Sequence, residues 1–164
     1  LSAIGLHPEW HFIGHLQSNK VKLIAPFVTM IHSVDSLKLA REISKCATEN
    51  NRKIQILIQV NTSGEESKSG CEPNEVINLA TEITQLPSIE LCGLMTIPSF
   101  TSTDEQLRSE FTMLRQIKDE LQAKYPSIHH LSMGMSGDFP LAISEGATMV
   151  RIGTAIFGER IYTL

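Results

Sequence analysis

Short apolar runs of strand length alternate along the chain with longer segments whose apolar residues recur every three or four positions. The first kind is typical of β-strands and the second of amphipathic helices. Residues 54–60 are apolar almost throughout, which is typical of a strand buried on both faces of a parallel sheet. The pattern predicts strands at residues 10–14, 30–34, 54–60, 89–97, 129–133 and 149–152, and helices at 17–25, 36–50, 73–86, 103–125 and 138–146, with a further helical turn after 154.

Six strand-helix units in succession predict an α/β fold with a parallel sheet and helices packed on it. Two architectures have this pattern, an open doubly wound sheet and a TIM (β/α)8-type barrel. No G-x-G-x-x-G motif follows the first strand, which disfavours a dinucleotide-binding sheet. Because the composition does not change along the chain, we expect residues 1–164 to form a single domain.

The composition narrows the classes of partner. The chain has 164 residues, 41% of them hydrophobic, and a net charge of −4, so we expect a globular protein that does not bind nucleic acid. Its apolar runs are far shorter than the roughly 18–20 residues of a membrane span, and we expect no membrane association. Three cysteines without a C-x-x-C pair, and no secretory signal, predict free thiols and a cytoplasmic location.

Arg151 is the most informative residue, because it interrupts the last apolar strand. Side chains alternate along a strand, so Val150 and Ile152 face one way and Arg151 the other. In a barrel this alternation places the apolar pair against the helices and the guanidinium in the lumen. A charge there requires a partner. The partner is either a structural carboxylate or a ligand at the C-terminal mouth of the barrel, where barrels have their sites.

Residues next to Arg151 favour an anionic ligand. Gly153 and Thr154 precede a predicted helical turn, and backbone N–H groups with a hydroxyl at that place suit a phosphate. The preceding unit contributes Ser136 as a second phosphate donor, while Asp138 is expected to cap the next helix. Two adjacent loops after the last strands of a barrel are the usual phosphate position.

The other polar residues do not form a recognisable catalytic or metal motif. His11 and His15 are four residues apart, but on a strand-to-loop segment without a glutamate between them, so the helical zinc motif is not met. His129 and His130 open a strand and are expected to be ordinary structural residues. We therefore predict no metal site and no catalytic residues.

Five segments in this order resemble the pyridoxal phosphate homeostasis proteins, and they extend over nearly the whole chain. They are WHFIGHLQSNK at 10–20, NTSGEESK at 61–68, GLMTIP at 93–98, LSMGMS with Asp138 at 131–138, and VRIGTAIFG at 150–158. The resemblance implies a barrel like the N-terminal domain of alanine racemase and pyridoxal 5'-phosphate as the cofactor. It implies that Arg151 faces the pyridine nitrogen and that Ser136, Gly153 and Thr154 hold the phosphate.

The chain departs from this family in one respect. The family binds the cofactor through a Schiff-base lysine in a Ser-Lys stretch on its first strand, and a Gly-Glu-Asn motif follows on the second. Neither motif is in this sequence, which also begins at Leu1 rather than Met. We therefore expect about six of the eight β/α units, without the first two.

Three functions agree with these observations. The resemblance implies a carrier or buffer of pyridoxal phosphate without catalytic turnover, monomeric when complete, that serves PLP-dependent apoenzymes. The alternative is an amino-acid racemase of the alanine racemase fold, which requires a second base and a second domain. A third interpretation is a barrel enzyme that acts on another phosphorylated substrate.

Overall fold

The computed structural model describes residue 5 and residues 8–65, 68–99 and 103–158. The ends of the expected domain, and Glu66 and Ser67 of the second family-like segment, lie outside the described residues. Six parallel strands form one sheet in the order β1 to β6. They are β1 His11–Phe12, β2 Met30–Val34, β3 Ile54–Gln59, β4 Ile89–Met95, β5 His130–Met135 and β6 Met149–Arg151.

A helical segment follows each strand. The helices are α1 Val21–Ile24, α2 Leu37–Glu49, α3 Val76–Ile83, α4 Asp104–Lys124, α5 Phe139–Ser144 and α6 Thr154–Phe157, and single 3-10 turns at Ser18–Lys20 and Pro73–Glu75 precede α1 and α3. The longest helix, α4, begins at a capping box in which Thr103 and Gln106 bond each other's backbone N–H.

The strand order decides between the two architectures. A doubly wound sheet reverses direction at a switch point and carries helices on both faces, whereas these strands follow one another in chain order. Since parallel crossovers have one hand, sequential order places every helix on the same side. The TIM-barrel interpretation is confirmed as a six-stranded part of a barrel, and the open doubly wound sheet is wrong.

The main core lies between the sheet and the helices. It is built from the outward-facing residues of the strands, such as Ile31, Ile56 and Leu94, and from the inner stripes of the helices, such as Ile43 and Phe111. These five side chains are essentially inaccessible to solvent. Burial of this aliphatic layer drives the fold, as the hydrophobic pattern predicts.

A smaller cluster lies on the opposite, inner face of the sheet. Met30, Leu57, Cys92 and Met95 pack together there, with Met149 against them. Beyond this cluster, towards the C-terminal ends of the strands, polar side chains lie among apolar ones such as Ile97. The inner face therefore has an apolar base and, beyond it, a layer that contains its polar side chains.

The first and last strands differ most from expectation. β1 pairs with β2 over His11 and Phe12 only, although five residues were predicted. In β6 the apolar neighbour Val150 is 37% exposed instead of buried against helices. Both strands pair on one side only within the described sheet, which explains their short ladders and partial exposure.

No helix in the described part of the chain is both long and apolar enough to cross a membrane.

Candidate functional site

A cavity of about 1050 Å³ opens at the C-terminal ends of the strands. All four residues predicted to bind the cofactor, Ser136, Arg151, Gly153 and Thr154, line it. The cavity therefore brings together residues from the last two units, at the end of the sheet where barrels have their sites.

Two neutral oxygens hold the Arg151 guanidinium. One terminal nitrogen donates to the Ser132 hydroxyl at 2.9 Å and the other to the carbonyl oxygen of Thr96 at 2.8 Å. Burial lowers the pKa of Arg151, and Asp138 acts in the opposite direction. Within the described residues no carboxylate forms an ion pair with Arg151. The structural ion pair considered for this residue is therefore not found there, and its charge is turned towards the cavity.

Ser136 joins the two loops that were predicted to hold a phosphate. Its hydroxyl oxygen accepts N–H bonds from Gly153 at 3.1 Å and from Ala155 at 3.2 Å. The Ser136 hydroxyl hydrogen remains available as a donor. Apart from its chain neighbours, no described residue has an atom within 4 Å of the place where a side chain on Gly137 or Gly153 would begin. Open space next to the Ser136 hydroxyl and the two glycines fits an oxyanion, so the site suits a phosphate group.

The end of β5 and the turn that carries Ser136 depend on a glycine and an aspartate. Gly134 has a φ of +93°, and a Cβ there would stand 2.6 Å from the Ala142 Cβ, so a side chain is excluded on two grounds. Asp138 occupies the N-cap position of α5, as predicted, but its side chain makes no capping bond. Its carboxylate accepts instead from the Met135 N–H, which tightens the turn that carries Ser136.

Two inward-facing histidines complete the polar layer, and the sequence analysis did not identify them as site residues. His11 Nδ1 lies 3.0 Å from His32 Nε2, and His32 Nδ1 lies 2.9 Å from the Ser132 hydroxyl. Both histidines line the cavity. Burial, followed by the charges of His11, Arg151 and His130, lowers the pKa of His32 to about 4.

A sequence signal for His32 existed. The strand reads Met-Ile-His-Ser-Val, so a polar ring takes an inward position in a strand whose other residues, apart from Ser33, are apolar, as Arg151 does in the last strand. His11 is likewise a polar ring next to an apolar residue, Phe12, on β1. His15, four residues from His11 in the zinc spacing that the sequence analysis rejected, is exposed and does not line the cavity.

The described residues contain no group of three or more His, Cys, Asp or Glu side chains that could hold a metal ion. Among the described residues that line the cavity there is also no lysine. The side chains present therefore suit a phosphate and a ring nitrogen, but they include no amine for covalent attachment.

Comparison with known proteins identifies the family. The profile described as "Alanine racemase, N-terminal domain" matches residues 1–161. The pyridoxal phosphate homeostasis protein of Aquifex aeolicus is 52% identical over 155 residues, which are 94% of this chain and 68% of that protein. The chain belongs to the pyridoxal phosphate homeostasis protein family. The Vibrio cholerae member is 50% identical over 94% of this chain and 66% of its own length, so the chain spans about two thirds of these curated relatives.

Solved structures agree with the family and the fold. PipY of Synechococcus elongatus with PLP bound superimposes with a TM-score of 0.86 at 35% identity, over 96% of this chain and 74% of that one. A Bifidobacterium adolescentis protein gives a TM-score of 0.88 at 46% identity, over 91% of this chain and 60% of that one. Clostridium difficile alanine racemase, at 18% identity and a TM-score of 0.79, covers 97% of this chain and 42% of its own and shows a shared fold only.

Proposed function

We propose that this chain binds pyridoxal 5'-phosphate and acts as a carrier or buffer of that cofactor in intracellular homeostasis, without catalytic turnover. The observation that carries the proposal is the half-buried Arg151, held by neutral oxygens in the same cavity as the Ser136–Gly153–Thr154 cluster. Membership of a family whose relatives are named for pyridoxal phosphate homeostasis supports it. We further propose that residues 1–164 form one barrel domain that corresponds to six of the eight β/α units.

The roles of the four residues follow from their chemistry. Ser136 and Thr154 would hold the phosphate with their hydroxyls, and the Gly153 N–H, which here donates to Ser136, would share its bond with a phosphate oxygen. Arg151 would face the pyridine nitrogen, to which it can only donate. The bound ring supplies an electron sink for carbanion chemistry. An arginine disfavours protonation of the ring nitrogen and so weakens that sink, which suits storage better than turnover.

Cofactor titration of the complete gene product tests the site. Ser136→Ala should weaken pyridoxal phosphate binding by roughly 1–3 kcal/mol, the usual loss for a charge-assisted hydrogen bond. Ser144→Ala is the matched control, because its exposed hydroxyl bonds only a carbonyl within α5. Equal affinity of Ser136→Ala, Arg151→Gln and the parent protein would refute the site assignment.

The alternative function is an amino-acid racemase of the same fold. A chiral assay with alanine and other amino acids should detect no sustained inversion by the complete gene product. Inversion at ordinary enzyme rates, about 1 per second or faster, would favour the racemase instead. Release of bound pyridoxal phosphate to a PLP-dependent apoenzyme, a cytoplasmic location and a monomeric state belong to the same proposal, and reactivation of an apoenzyme by the loaded protein tests the first of them.

A further inference from the structure

Four polar side chains form one continuous hydrogen-bonded row across the inner face of the sheet. Arg151 on β6 contacts Ser132 on β5, Ser132 contacts His32 on β2, and His32 contacts His11 on β1. The three distances are 2.9, 2.9 and 3.0 Å. Ser132 and His32 are buried, whereas His11 is exposed at the cavity.

The protons in this row can be assigned from one end. Arginine has donors only, so Arg151 donates to the Ser132 oxygen. A serine hydroxyl has one hydrogen, and a buried hydroxyl hydrogen without an acceptor is costly. Within the described residues, His32 Nδ1 is the acceptor in reach of Ser132. Ser132 therefore donates to His32 Nδ1.

The assignment continues through the two rings. Because Nδ1 of His32 accepts, a neutral His32 has its proton on Nε2 and donates to His11 Nδ1. Nε2 of His11 then has the ring proton. The row has a single direction, from Arg151 to His11, and each buried polar atom in it has a partner.

We propose that Ser132 and His32 are positioning residues that hold Arg151 towards the ligand, and that the row ends in the His11 Nε2–H as an additional donor in the cavity. The effect on the ligand rests on the proposed function, whereas the direction of the row does not. Protonation of His32 would place a donor against the Ser132 hydroxyl hydrogen and reverse this contact. Three titratable or charged groups face His32, each from a different strand: His11 from β1, His130 from β5 and Arg151 from β6. All three disfavour a charge on His32, in agreement with a neutral ring.

Nitrogen-detected NMR of the histidine rings tests the direction without any ligand. The complete gene product should show His32 neutral, and both rings should have the proton on Nε2 and none on Nδ1. In Ser132→Ala, His32 should lose this single tautomer and populate the Nδ1–H form. A proton on His32 Nδ1 in the parent protein, or a cationic His32, would overturn the proposal even if the protein binds no pyridoxal phosphate.

Ligand binding tests the positioning role. Ser132→Ala and His32→Leu should each weaken pyridoxal phosphate binding about 10-fold, equal to roughly 1.4 kcal/mol or one hydrogen bond. His32→Asn has nearly the shape of the leucine variant but keeps an acceptor at the δ position, so it should restore binding to within about 3-fold of the parent, below the cost of one bond. The buried Ser44→Ala, which loses a bond to the Pro87 carbonyl on the helix side of the sheet, is the control and should not change binding.

Benzyl phosphate separates positioning from general damage, because it has a phosphate and an aromatic ring but no ring nitrogen. Its affinity should be the same in the parent, Ser132→Ala and His32→Leu. An equal loss for both ligands, a loss for neither, or failure of His32→Asn to restore binding would show that the row does not act through Arg151. If Ser132→Ala does not fold, the two His32 variants and the tautomer measurement on the parent protein still test the proposal.

Discussion

The two faces of the sheet differ in almost every respect. The outer face is a continuous apolar layer under the helices, and its buried strand positions are isoleucine, leucine and valine, with Met133 on β5. The inner face has a small cluster that includes two methionines and a cysteine, above which lie His11, His32, Ser132 and Arg151. Stability therefore depends mainly on the outer face, and ligand chemistry depends on the inner one. The residues of the two faces nevertheless alternate along the same six strands.

The largest expected effect is a cavity in the outer face. Phe111 on α4 is fully buried in the main core. Phe111→Ala should lower the free energy of unfolding by about 3–5 kcal/mol. Denaturant unfolding measures the loss, and the fraction that remains folded should bind ligand with unchanged affinity. A large loss of affinity in the folded fraction would show that the two faces are not separable.

The second effect concerns pH and the inner face. His32 has a pKa of about 4 instead of the usual 6.5, so on acidification the unfolded chain takes up this proton first. The contribution to stability is complete above pH 6.5 and is lost as the pH falls towards 4, with a size on the order of 3 kcal/mol. Unfolding measured between pH 4 and 7.5 should be flatter for His32→Asn than for the parent. Parallel curves would contradict the low pKa.

A third effect should change binding more than stability. Arg151→Gln keeps a donor near Ser132 but removes the charge, so pyridoxal phosphate affinity should fall by about 2 kcal/mol, the value of a hydrogen bond to a charged group. The free energy of unfolding should change by less than about 1 kcal/mol, because removal of a half-buried charge offsets the lost contacts. Titration and denaturant unfolding of the same sample give both values. A stability loss as large as that of Phe111→Ala would place Arg151 among the structural residues.

The smallest effect concerns the apolar base of the inner face. Burial raises the pKa of the Cys92 thiol to about 11, so the native protein should react slowly with thiol reagents at pH 8. Cys92→Ala should reduce stability by about 1 kcal/mol or less, the order of one buried methylene-sized group. Fast native-state labelling at Cys92 would show that the base of the inner face is open to solvent.

The sequence predicts the two faces unequally. Strands β2, β3 and β4 follow from long apolar runs, and Arg151 is conspicuous as a charge in such a run. β1 is harder to predict, because its length depends on the pairing of a neighbour rather than on its own residues. α1 is a single α-helical turn after a 3-10 turn, shorter than the predicted helix before Pro26.

The polar row is harder to predict than the elements that carry it. His32 and Ser132 are 100 residues apart in sequence, and neither residue type alone indicates a contact. The inward position of each residue follows from strand alternation. To predict the distance between them, however, one must know the register of the strands that lie between β2 and β5. Irregularities between Ile31 and Val34 and between Ile56 and Leu57 shift that register, and no short-range pattern predicts them.

The order of the strands also has a consequence for how the chain folds. In the described sheet, each strand after β1 pairs with the strand that precedes it in the sequence. Every loop that must close is one β/α unit long, so the entropic penalty for each pairing is similar and moderate. During synthesis the sheet can grow one strand at a time as residues leave the ribosome. The row from Arg151 to His11 is then completed last, when β6 docks on a sheet that is already in place.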